Sequence, residues 1–153
     1  RMNVLLEDAI AAGPESGEFY LLLKNYGMWS KYFGCSGYGA HSSEPLPTPI
    51  IDDDTAMFVE KAAIKLKKTR PNVWRVFRLH YADDLSPDKI ASIIKAETKN
   101  NREPRYRRRK NYFEYNAAID SAIRHITASC VRDLLKIAER FIYTELMAGY
   151  NQL

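Results

Sequence analysis

Seven basic side chains and one acid stand within residues 99–110, Lys99-Asn100-Asn101-Arg102-Glu103-Pro104-Arg105-Tyr106-Arg107-Arg108-Arg109-Lys110. This segment carries +6 while the whole 153-residue chain carries +4, so everything else is net −2 and the excess charge is local. Aromatic rings lie in it and just after it, at Tyr106, Tyr112, Phe113 and Tyr115. Clustered Lys and Arg side chains release condensed counterions from a polyphosphate, which makes nucleic acid the leading partner class. From charge pattern alone, the competing readings are a solvated basic loop or a contact with an anionic membrane surface.

Other groups that could do chemistry lack partners at a working spacing. Asp52, Asp53 and Asp54 could hold Mg²⁺ in a nuclease, but adjacent residues on a helix point in different directions and no second carboxylate cluster accompanies them. As the opening of a helix the same residues accept free amides and face the positive end of its dipole, with Asp52 as the cap. Cys35, Cys130, His41 and His80 form no spaced four-ligand set, so no metal is expected, and His125 reads as a helix-surface group. There is no phosphate loop ending in Gly-Lys-Ser or Gly-Lys-Thr and no Gly-x-Ser-x-Gly elbow. Gly34-Cys35-Ser36-Gly37-Tyr38-Gly39 follows a helical pattern and lacks the dinucleotide spacing. The expectation is a protein without catalytic residues or cofactor.

With 46% hydrophobic and 27% charged residues, the composition is that of an ordinary globular chain, one domain over residues 1–153 carrying an arm. Two distant cysteines and no apolar leader suggest a cytoplasmic, reducing compartment, and Arg1 ahead of Met2 reads as a vector remnant. The longest apolar run, Phe19-Tyr20-Leu21-Leu22-Leu23, is far below the roughly 20 residues that span a bilayer, so no membrane role is expected.

Periodicity predicts an all-α fold. A helix over 4–12 is stopped by Gly13-Pro14. A second, over 17–32, carries the stripe Phe19, Leu22, Leu23, Tyr26, Trp29 and Phe33 into the core. Residues 34–49, holding Gly34, Gly37, Gly39, Pro45, Pro47 and Pro49, form a loop too long for a mere connector and hence a candidate contact surface. The helix opened by Asp52 runs to 68 with Ala56, Val59, Ala63 and Leu66 on one face and Lys61, Lys65 and Lys68 on another, and Thr69-Arg70-Pro71 separates it from a helix over 72–81.

Residues 73–81, a turn over 82–85 and a helix from Ser86 make the first half of a helix-turn-helix. Ser86 caps that helix, Pro87 suits its first position, Asp88 complements its dipole, and Ile90, Ala91 and Ile94 face inward. An uninterrupted motif would begin its recognition helix near Lys99. Pro104 and the arginine run intervene, which places a basic arm over 98–111 and the recognition helix over 112–126. From there one face holds Ile119, Ile123, Ile126, Cys130, Leu134, Ile137 and Phe141, through a C-terminal helix ending near 147, and another holds Asn116, Asp120 and Arg124. The candidate DNA contacts are Lys99, Asn100, Asn101, Arg102, Arg105, Arg107, Arg108, Arg109, Lys110 and Tyr112 in and beside the arm. Asn116 and Arg124 are the candidates for reading base edges, Asn for adenine and Arg for guanine.

The ordered set Tyr26-Gly27-x-Trp29, the proline loop, Asp52-Asp53-Asp54-x-Ala56-Met57 and Leu79-x-Tyr81-x-x-x-Leu85-Ser86-x-x-x-Ile90-Ala91 resembles the late-gene antitermination protein Q family of lambdoid phages, over nearly the whole chain. The last stretch is also similar to the helix-turn-helix of sigma factor region 4. The resemblance implies a sequence-specific DNA-binding protein that loads onto RNA polymerase holoenzyme, sigma included, paused near a promoter in the host cytoplasm. It further implies suppression of terminators at the RNA exit channel, with nascent RNA a further candidate partner. Two features depart from the family: the cysteine-based zinc motif of the lambda-type branch is missing, and the basic insertion is longer. A helix-turn-helix repressor that only occludes a promoter is the alternative, and a metal-dependent nuclease using the Asp triplet is a third.

If residues 99–110 supply phosphate contacts, replacing Arg107, Arg108 and Arg109 together by Ala weakens binding to cognate and random duplexes alike. Loss of about three contacts reduces the slope of log K against log salt by about 2.7, measured by titration across salt concentrations.

Overall fold

The structure, a computed structural model, describes residues 4–34, 50–100 and 112–153. The chain is all-α: α1 (Val4–Ala12), α2 (Gly17–Trp29) continued by a π-helical turn (Ser30–Gly34), α3 (Asp53–Thr69), α4 (Pro71–Tyr81), α5 (Pro87–Asn100), α6 (Tyr112–Arg124) and α7 (Ala128–Tyr150). Of the loop expected over 34–49, Gly34 instead ends the π-helical turn that continues α2, and residues 35–49 lie outside the described residues. The chain groups into two units, one of Arg1–Asp84 with Leu134–Leu153 and one of Leu85–Asp133.

Side-chain caps fix where several helices begin. The Ser16 Oγ accepts from the Phe19 amide at 3.1 Å, Asp52 Oδ1 from the Thr55 amide at 2.7 Å, and Ser86 Oγ from the Lys89 amide at 3.3 Å. Hydrogen bonding from Thr55, first its side chain and then its amide, holds the Asp52 carboxyl below its ordinary value. At the end of α1, Gly13 takes φ +100°, a left-handed position that glycine adopts without a Cβ penalty, and its amide bonds to the Ala9 carbonyl.

The core of the first unit gathers the expected stripe of α2, with Phe19, Leu22, Leu23, Tyr26 and Trp29 buried, against Ala56, Val59, Ala63 and Leu66 of α3 and Val73, Val76 and Phe77 of α4. Two buried polar side chains hold the backbone around it. Asn25 donates to the Leu21 carbonyl and accepts from the Ile50 amide at 2.8 Å, fixing the approach to α3, and Ser30 Oγ accepts from Arg78 Nη1 at 2.9 Å. Tyr26 donates to Glu60 on α3 and Tyr81 to Glu139 on α7, and burial raises both phenols far above the ordinary tyrosine value. Burial likewise raises the Glu139 carboxyl. Asp84, at φ +57°, ends this unit and pairs with Lys24, whose hydrogen bond lowers the Asp84 carboxyl.

Two register expectations are corrected. The sequence reading carries one apolar face straight through Ile126, Cys130, Leu134 and Ile137, but α6 stops at Arg124 and Thr127 starts a new helix by accepting from the Cys130 amide at 3.2 Å. That restart rotates the face by about one residue. Val131, Leu135, Ala138, Ile142 and Leu146 are buried, whereas Cys130 is exposed and Ile137 is 39% exposed. Likewise α5 does not yield to an arm at 98. Thr98 and Lys99 are helical through Asn100, with no Gly or Pro between 88 and 103 to stop them and with Thr98 Oγ1 bonded to the Ile94 carbonyl at 2.8 Å.

Gly27 is where α2 meets the end of α4. A Cβ there would lie 2.0 Å from the Tyr81 carbonyl oxygen and 2.5 Å from its carbon, so the two backbones could not keep their places. Gly27→Ala is expected to cost about 3 kcal/mol or more, the upper end for overpacking, because no rotamer change relieves a clash of Cβ with backbone. Gly17→Ala, with nothing within 4 Å of the new Cβ, is the tolerated control. Urea denaturation midpoints of the two variants measure the difference.

Candidate nucleic-acid interface

Within the unit Leu85–Asp133, α5 and α6 pack on each other. Ile90 and Ala91 of α5 and Ile123 of α6 are buried, which leaves the opposite sides of both helices to solvent. Small Ala91 suits close packing of a neighbouring helix, as the sequence pattern suggests. Residues 101–111 join them, eleven residues where a compact helix-turn-helix has about three or four.

The proposed contacts fall into three groups. Lys99 and Asn100 are exposed at the end of α5. Asn101, Arg102, Arg105, Arg107, Arg108, Arg109 and Lys110 lie outside the described residues, as does the side chain of Tyr112, the first residue of α6. Asn116, Asp120 and Arg124 follow at intervals of four along α6, a strip about 12 Å long at 1.5 Å rise per residue, comparable to the width of a B-DNA major groove. Asn116 is half-buried, and Asp120 and Arg124 are exposed.

The strip is chemically varied. Asn116 offers an amide donor and acceptor, Asp120 only acceptors and Arg124 only donors, the three hydrogen-bonding characters that distinguish base edges. Its surroundings are electrically balanced. Among residues 85–100 and 112–133, Lys89, Lys95, Lys99, Arg124 and Arg132 are matched by Asp88, Glu97, Glu114, Asp120 and Asp133. The helices therefore have no net charge with which to hold a polyphosphate, and the basic excess of this part of the chain comes entirely from 101–111.

The Asp triplet is occupied structurally. Asp52 caps α3, and Asp53 Oδ1 accepts from Trp29 Nε1 at 2.8 Å, so two of the three carboxylates have partners that stabilise the fold. Among the described residues no group of three or more His, Cys, Asp or Glu side chains could hold a metal ion, and no helix is long and apolar enough to cross a membrane.

One basic feature escapes the search for a local cluster. Between Glu60 and Asp83 the chain carries seven Lys and Arg residues and no acid, and the structure puts six of them on α3 and α4, which pack together, and Arg70 between the two. The signal was the absence of acids over a long interval; helical spacing disperses the cations along the sequence.

No protein-family model matches the chain, and no curated protein or solved structure does.

If the α6 strip reads base edges, Asn116→Ala or Arg124→Ala costs about 1–3 kcal/mol on a cognate site and much less on random duplex, since base contacts carry sequence information and phosphate contacts do not. Paired titrations on the two duplexes measure this, and equal losses would place the reading element elsewhere.

Proposed function

We propose that this chain is a sequence-specific DNA-binding transcription antitermination factor. On this reading it loads onto RNA polymerase holoenzyme, sigma factor included, paused near a promoter in a bacterial host cytoplasm. It then suppresses terminators at the RNA exit channel, where a narrowed path for nascent RNA hinders hairpin formation. The observation that carries the DNA-binding half is the arrangement of α5 and α6: a capped helix packed on a second helix that bears the Asn116, Asp120 and Arg124 strip, with the strongly basic segment between them. Phosphate affinity comes from that segment and discrimination from the strip.

The antitermination half rests on the resemblance of the motif set to the Q family. Several residues of that set have definite physical tasks. Gly27 admits the α4 backbone, Asp52 caps α3, Tyr81 ties α4 to α7, and Ser86 caps α5. The same α6 strip would serve a promoter-occluding repressor equally well, so the two readings differ in what happens to polymerase.

Transcription with purified holoenzyme through an intrinsic terminator separates them. The expected result is increased read-through with initiation unchanged, and fewer transcripts initiated would favour the repressor. Because residues 36–44 contain no basic side chain other than His41, shortening them should preserve DNA affinity while abolishing read-through, if the loop contacts polymerase. Read-through that survives the deletion reduces the loop to a tether.

A further inference from the structure

Of the seven cations between Glu60 and Asp83, Lys65 pairs with Glu145 of α7 at 3.0 Å, and five others, from Lys67 to Arg78, lie around the α3–α4 corner. Lys67 and Lys68 lie in the last turn of α3, Arg70 is the single residue between α3 and α4, and Arg75 and Arg78 follow on α4. Lys67, Lys68, Arg70 and Arg75 are exposed, and Trp74 stands half-buried among them. The Lys67 ammonium lies 4.5 Å and the Arg78 guanidinium 5.9 Å from the centre of its ring.

Fold stability explains only part of this. Cations in the last turn of α3 complement that helix's dipole. Arg70 is the N-cap of α4, where a cation faces the positive helix end; it makes no side-chain capping bond, and the first turn of α4 has no acid. Among the flanking acids, Glu60 accepts from Tyr26 and Asp83 pairs with Lys31 at 3.7 Å. Lys67, Lys68 and Arg70, three cations within four residues, repel one another, a cost that a polyanionic partner removes.

We propose that the α3–α4 corner is a second nucleic-acid surface, which takes a single strand: Lys67, Lys68 and Arg70 meet phosphates and Trp74 stacks a base. A half-buried indole with cations over its ring can take an unpaired base once the Lys67 ammonium leaves the ring for a phosphate, and paired bases in a duplex cannot offer it a face. The site belongs to the unit of Arg1–Asp84 and depends neither on α6 reading a duplex nor on the action on polymerase.

The full chain is titrated with labelled 12-nucleotide oligo(rU), oligo(dT) and a random duplex across a range of salt. Lys67→Ala/Lys68→Ala/Arg70→Ala is expected to reduce the single-strand salt slope by about 2, at 0.7 per phosphate, and to change duplex affinity less than twofold. Trp74→Leu should weaken single-strand binding about tenfold, and Trp74→Phe, which keeps a stacking face, should restore most of it. In the unaltered chain, oligonucleotide should quench the indole fluorescence, since Trp29 is only 6% exposed whereas Trp74 is half-buried, the more exposed of the two rings. The relative affinities for oligo(rU) and oligo(dT) tell whether the strand is RNA or DNA. An unchanged single-strand slope in the triple variant, equal losses on duplex and single strand, or binding without quenching would each overturn the proposal.

Discussion

The close approach of α2 to the end of α4 at Gly27 is the constraint on which the first unit depends. With the Tyr81 carbonyl oxygen occupying the place of a Cβ, the two helices sit nearer than side chains would allow, and the residues either side of the glycine are set by that contact. One turn on, Ser30 receives Arg78. Tyr26 stacks on both Trp29 and Phe77, and Phe77 in turn lies 5.1 Å from Tyr81, ring centre to ring centre. The phenols then carry the contact outward. Raised far above their ordinary value by burial, Tyr26 and Tyr81 stay protonated and donate, one to Glu60 on α3 and the other to Glu139 on α7. A single missing Cβ thus fixes where α4 ends, and through two hydroxyls how α3 and the second half of α7 are held.

Helix starts are the second level of control. Ser16, Asp52, Ser86 and Thr127 each accept the backbone amide three residues on, so each settles both the first residue of its helix and the phase of the face that follows. Phase matters most at Thr127. A continuous helix from Tyr112 would bury Cys130 and Ile137; the restart buries Val131, Leu135 and Ala138 in their place. Removing the break would leave composition untouched and turn the wrong side of α7 inward.

These two levels differ in how far the sequence discloses them. Caps are local, and they were legible: Gly13-Pro14, Asp52 and Ser86 locate the ends of α1, α3 and α5 from neighbouring residue types, and the stripe of α2 is core as its spacing indicates. Gly27 was legible only as a motif member, because the reason for it is the carbonyl of a residue 54 positions away. The phase of α7 was missed because Thr127 lies between two segments that share a compatible apolar spacing, so periodicity runs on across a physical break. The helical state of Thr98 and Lys99 does not follow from the charge pattern, because a change in charge is not a change in backbone; the first residue unable to continue a helix is Pro104. For the candidate interface, the α6 strip was legible from four-residue spacing. The acid-free interval of α3 and α4 was not, since net charge outside 99–110 is −2 only because distant carboxylates cancel it.

Charge is unevenly distributed along this chain, and on the proposed reading that distribution separates phosphate affinity from base selection. If α6 reads bases, it does so with Asp120 between Asn116 and Arg124 and with the described helices around it balanced in charge. A carboxylate in that position weakens any indiscriminate hold on a polyanion while leaving hydrogen-bond selection intact, so on that reading affinity comes from residues off the strip. The two acid-poor intervals, 61–82 and 99–110, can supply it, and they differ in kind. The first lies on paired helices around an indole, whereas the second is a charge concentrated in the sequence between the end of α5 and the start of α6. If α6 is the reading element, residence on nucleic acid is governed by those other contacts, and so by whatever partner competes for them.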